Sequence, residues 1–141
     1  MRVVLDTNIY ISAALKAGLS EKIMGLASET NLITLITSEE ILEELKNKLL
    51  SKFKRSDTIA DIFINKIRKI AEVVEIRERV NIVKRDPKDN KILECALSGD
   101  ANLIVTADQD LIKIKTFKGI GIVHPKTLSW IFPNSFKKPK S

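Results

Sequence analysis

Two short apolar runs in this chain each end on a carboxylate. Val3, Val4 and Leu5 read as a buried strand that stops at Asp6, with Thr7 and Asn8 behind it. Leu103, Ile104 and Val105 run into Thr106, Ala107 and Asp108. Between them lie Asp89, near the start of a helical stretch, and the glutamates of "EEILEEL" (residues 39–45). Carboxylates gathered at one place repel one another, and drying them raises their pKa values. A hard divalent cation relieves both effects, and all-oxygen ligands suit Mg²⁺ or Mn²⁺. Such an ion makes a nucleophile of a bound water and steadies charge building on a phosphate.

Each acid also has a plainer role open to it. Asp6 can cap the helix that follows, and Asp108 or Asp110 a turn after its strand. Asp86, directly before Pro87, is a helix start, and Asp89 then falls where an acid favours a first turn. The glutamates can be solvated surface. The coincidence favours chemistry: several acids fall at one expected edge of a chain whose net charge is +6. In the third helix Ile41, Leu42, Leu45 and Leu49 form the apolar stripe. Glu44 flanks it, while Glu40 and Glu43 point further toward solvent, so Glu44 is the first choice and Glu43 the reserve. Asn8 and Thr106 are placed to orient an acid or a water, or to serve as turn residues.

The elements that must position these groups alternate. Strand Val3 to Leu5 is followed by a helix from Asn8 to Lys16, then by a helix from Glu21 to Ser28 with Ser20 as its cap. A strand from Leu32 to Thr37 precedes the Ser38-capped helix "SEEILEELKNKLL". A helix from Thr58 to Ala71 carries Ile59, Ile62, Phe63, Ile67 and Ile70 as an apolar stripe, and a short strand follows at Val73 to Ile76. A helix from Pro87 stops at Ser98-Gly99. Strands Leu103 to Val105 and Ile120 to Val123 and a helix from Pro125 to Ile131 complete the series. Short apolar strands without polar alternation, set between helices, imply an α/β fold. The expectation is a three-layer α/β/α sandwich with a central parallel sheet. In such sheets ligands bind beyond the carboxyl ends of the strands, where Asp6 and Asp108 would emerge together. Residues 1–133 are expected to form one domain, with a basic, flexible tail over 134–141.

Composition narrows the class. Hydrophobic residues make up 44% of 141, which is enough for a core and too many for a disordered chain. Cys95 is the one cysteine, so no internal disulfide forms. No run approaches a membrane span of roughly 18 residues, and no signal-peptide pattern opens the chain, so a soluble cytoplasmic protein is expected. The positive charge favours polyanionic partners. Lys46, Lys48, Lys52, Lys54 and Arg55 are a candidate phosphate-binding rim or a solvated helix face. His124, the lone histidine, suits capping or packing before Pro125 better than catalysis.

The ordered set "VVLDTN", "SEEILEELKNKL", "DPKDNKILECALSGDANLIVTAD" and "GIGIVHP" resembles the PIN-domain proteins of the prokaryotic toxin type, VapC-like in the broad sense. The resemblance implies a Rossmann-like domain and a Mg²⁺- or Mn²⁺-dependent endoribonuclease. Its metal-binding and catalytic acids would be Asp6, Glu44, Asp89 and Asp108, with Glu43 an alternative to Glu44. It further implies an RNA substrate, a cognate antitoxin and a homodimer. A PIN nuclease of RNA processing or maturation, and a catalytically inert RNA-binding module, are the competing readings. A phosphate-receiving signalling domain is disfavoured, since it needs two adjacent acids early in the chain. A "DxDxT" phosphatase fails because Thr7 and Asn8 follow Asp6.

Overall fold

The computed structural model describes residues 1–15, 18–80 and 87–136; the expected cap at Asp86 and residues 137–141 of the tail lie outside them. The elements are β1 (Arg2–Leu5), α1 (Thr7–Ala14), α2 (Gly18–Glu29), β2 (Thr34–Thr37), α3 (Glu39–Ser51), α4 (Asp57–Ile70) and β3 (Ala71–Val73). They continue with α5 (Pro87–Ser98), β4 (Leu103–Val105), α6 (Gln109–Ile112), β5 (Thr116–Phe117), β6 (Ile120–Val123) and α7 (Pro125–Ile131), then a 3₁₀ turn over Pro133–Phe136.

One sheet of six strands runs in the order β3-β2-β1-β4-β6-β5. Every pairing is parallel except β5 with β6, which is antiparallel. The strands are short and apolar on both faces because helices cover both faces. Alternation sorts their side chains between two cores. Val3, Leu5, Leu35 and Val105 face α1 to α4 and Leu128 of α7. Val4, Ile36, Ile104 and Ile122 face Ile92, Leu93, Cys95 and Ala96 of α5, Leu111 of α6, and Phe117. This is the three-layer α/β/α arrangement expected from the sequence.

Local rules account for most boundaries. Ser38 Oγ accepts from the Ile41 N–H at 3.3 Å and caps α3, and Ser56 Oγ does the same for Ile59 in α4 at 3.2 Å. His124 Nδ1 accepts from the Lys126 N–H at 3.1 Å, so this histidine is the cap of α7. Two expectations need correction, and two small elements carry no signal in the sequence. Helix α2 begins at Gly18, and Ser20 is buried within it rather than capping it. The third strand is Ala71–Val73, earlier than the hydrophobic run suggested, because it pairs with β2 immediately after α4 ends. The small elements α6 and β5 have no periodic signal in two to four residues, and tertiary pairing alone defines them. At the start of the basic tail, the 3₁₀ turn sets Phe136 against the first core, and Lys22 Nζ donates to its carbonyl at 3.2 Å.

Gly99 ends α5 where the helix meets the sheet. A Cβ there would stand 2.5 Å from Ile36 Cγ2, a fully buried atom group, and 3.2 Å from the Cys95 carbonyl oxygen. Gly99→Ala is therefore expected to destabilise the fold by about 1–3 kcal/mol through overpacking. Chemical denaturation with an unchanged m-value checks it; a variant as stable as the parent would mean that the α5–β2 contact is looser than the structure shows.

Candidate active site

The carboxyl ends of β1 and β4 form the floor of the site. Their register pairs Leu5 with Val105, which sets Asp6 beside Thr106. The Asp6 N–H donates to the Val105 carbonyl at 3.0 Å, extending the ladder by one residue. Thr106 Oγ1 donates to Asp6 Oδ2 at 2.7 Å in a buried contact and accepts from the Asp108 N–H at 3.0 Å. One hydroxyl thus ties both strand-tip acids together. Asp6 also caps α1, its Oδ1 facing the Asn8 N–H at 3.5 Å. Asp108 caps α6, its Oδ1 accepting from the N–H groups of Asp110 at 2.8 Å and Leu111 at 3.4 Å. Capping uses Oδ1 of each acid, while Oδ2 of Asp6 accepts from Thr106, and a carboxylate oxygen with one donor keeps a further lone pair.

The other two acids come from helices. Helix α3 leaves the tip of β2, next to β1, and brings Glu44 inward; its side chain is 11% exposed. Helix α5 runs back across the sheet, and its first turn brings the buried Asp89 to the same edge. Asp6, Glu44, Asp89 and Asp108 all line one cavity of about 40 Å³, with Thr7, Asn8, Ile92 and Lys48. Glu44 also lines an adjoining groove, whereas Glu43 lines that groove and not the cavity. Glu39 and Glu40 are turned outward to Arg68, at 2.6 Å, and Arg79, at 2.7 Å. A larger cavity of about 330 Å³ lies between α1, α2 and α4, but it does not gather these acids.

Electrostatics at the floor is dominated by Asp6, which is 8% exposed. Burial raises its pKa above the ordinary carboxylate value, against the Thr106 hydrogen bond, the Asn8 N–H and the Lys48 charge, while Asp108 adds repulsion. Among the described residues, no group of three or more Asp, Glu, His or Cys side chains is drawn tightly enough to hold a metal ion. The cavity instead contains a built-in cation. Lys48 Nζ lies 3.2 Å from Glu44 Oε1, one helical turn away. The sequence leaves Lys48 open as part of a phosphate-binding rim or of a solvated helix face; the four-residue spacing from Glu44 is the signal for this pairing. That rim is not continuous, since Lys46 is paired with Asp61 of α4 at 2.8 Å.

The profile of the PIN domain matches residues 2–110, a span that includes all four acids. The chain belongs to the PIN-domain family. Members of this family are generally nucleases. No curated protein matches the chain. Its fold is similar to that of VapBC2 from Rickettsia felis, solved bound to a DNA fragment from their promoter, with a TM-score of 0.61 and 15% identity over 88% of this chain and 98% of that one. It is also similar to PAE2754 from Pyrobaculum aerophilum, with a TM-score of 0.58 and 18% identity over 94% of this chain and 89% of the other. The cavity's acids are all side-chain oxygen donors, the kind a hard divalent ion takes, and in this structure they face an ammonium.

Two expectations concern Asp6. Thr106→Val removes a buried hydrogen bond to a charged group and should destabilise the protein by about 1.5–3 kcal/mol at pH 7. The loss should shrink as Asp6 is protonated, and carboxyl NMR should show its pKa displaced further upward. Because the folded-state pKa of Asp6 is already raised, the folded chain holds this proton more tightly than the unfolded chain does. Ionising it costs stability as pH rises from its unfolded value, about 3.9, through its folded value. Asp6→Asn should therefore raise the melting temperature of metal-free protein at pH 7.5, with the advantage vanishing toward pH 4; a lower melting temperature at pH 7.5 refutes it.

Proposed function

We propose that this PIN domain is a metal-dependent endoribonuclease, and that Asp6, Glu44, Asp89 and Asp108 hold Mg²⁺ or Mn²⁺ at its active site. The single observation that carries this reading is that these acids, drawn from β1, α3, α5 and β4, line one cavity at the carboxyl edge of the sheet. The bound ion would supply Lewis acidity toward a phosphate oxygen and lower the pKa of a water. The chain's own residues do the rest. Asp6 and Asp108 are the rigid acids, pinned by backbone donors and by Thr106. Glu44 and Asp89 approach from helices and would complete the shell of an ion that keeps part of its water. Lys52, Lys54 and Arg55, beyond the paired part of α3, supply positive charge toward an RNA backbone.

A toxin role, with a cognate antitoxin, a homodimer and a cytoplasmic site of action, is the biological setting we favour. It is supported by the sequence resemblance and by the fold shared with VapBC2. An antitoxin gene adjacent to this one and growth arrest on expression separate it from an RNA-processing nuclease.

The direct test is cleavage of mixed single-stranded and structured RNA. Cleavage should require Mg²⁺ or Mn²⁺ and stop with EDTA. Asp6→Asn should lower the rate at least about a hundredfold, the scale on which one lost catalytic-site contact acts. A variant that cuts as well as the parent removes Asp6 from the mechanism, and RNA binding without cleavage by the parent favours the inert module.

A further inference from the structure

Lys48 shares the carboxylate cavity with the four acids, and this raises the question of what an ammonium does where a metal is expected. Its Nζ is 3.2 Å from Glu44 Oε1, its charge acts on Asp6, and its side chain is only 23% exposed. The position is set by α3 itself, since Glu44 and Lys48 are one turn apart with the acid N-terminal, the favourable order. Lys48 and Glu44 also line the adjoining groove of about 390 Å³, together with Glu40, Glu43, Asn47, Ser51 and Lys91. Four flexible methylenes can therefore carry the ammonium from one cavity to the other without any movement of backbone.

We propose that Lys48 is an internal counter-ion that competes with the divalent cation for the carboxylate cavity and turns out into the adjoining groove when the ion enters. This rests on the metal-binding reading above. In the metal-free protein the ammonium relieves repulsion among Asp6, Glu44, Asp89 and Asp108. When an ion arrives, the two cations repel at short range, and the smaller, doubly charged one holds the acids more strongly. Lys48 thereby lowers metal affinity at rest and sets the concentration at which the site loads.

The experiment measures Mn²⁺ binding to metal-stripped full-length protein, by electron paramagnetic resonance of the free ion and by calorimetry. Lys48→Met keeps the aliphatic stem against α3 and removes the charge. It should bind Mn²⁺ roughly fivefold or more tightly than the parent, as expected for deleting a like charge a few ångströms away in a screened site. Lys48→Arg, which keeps the charge, should stay within about twofold of the parent, and so should Lys91→Met, whose lysine lines the groove alone. Equal or weaker Mn²⁺ binding by Lys48→Met overturns the proposal, as does equal tightening by Lys91→Met. If neither the parent nor Lys48→Met takes up Mn²⁺, the metal-binding reading itself has failed, and the competition falls with it.

Discussion

The rest of the site depends on keeping the carboxylate of Asp6 in a nearly buried place. Burial works against its charge and Asp108 adds repulsion, while the Thr106 hydroxyl, the Asn8 N–H and the Lys48 ammonium work in its favour. A charge moved out of water is tolerated only when hydrogen-bonded or paired. The neighbouring strand tip, the first turn of α1 and a lysine two helical turns into α3 are the groups that meet this requirement. Their positions follow from the register of β1 with β4 and from the parallel placement of β2 on the other side.

Capping and chemistry share the same atoms here. A cap oxygen is fixed by one or two backbone N–H groups and so holds its side chain in one rotamer. Asp6 and Asp108 are fixed in this way by α1 and α6, leaving the second oxygen of each carboxylate oriented by the fold. A short helix such as α6 contributes little to the core, but it locks Asp108. The helix-borne acids Glu44 and Asp89 are positioned by packing instead, α3 through its buried Ile41, Leu42, Leu45 and Leu49, and α5 through Ile92 and Leu93.

The chain carries a net charge of +6, yet it gathers acids in this cavity. Several cations are engaged locally: Arg68 with Glu39, Lys46 with Asp61, and Arg79 with both Glu40 and Glu94. Exposed pairs of this kind stabilise little. Their effect is on orientation, since they turn Glu39 and Glu40 away from the cavity. The Glu94 carboxylate is buried and also accepts the Val80 N–H at 3.0 Å, which ties the backbone at Val80 to α5.

By itself the sequence determined the layered α/β class, most helix boundaries and the short set of acids worth considering. Apolar runs of strand length, Ser38 as a cap and an apolar stripe at helical spacing are local signals, and local physics reads them. Tertiary structure decided the rest. The helical stripe already favoured Glu44 over Glu43, but that Glu44 reaches the cavity, and Glu43 does not, depends on how α3 packs against β1 and α5. That Thr106 bridges Asp6 and Asp108 depends on a strand register set across a hundred residues. That Lys48, paired with Glu44 along α3, stands in the same cavity as Asp6, Asp89 and Asp108 depends on the completed sheet, which brings those acids to the helix.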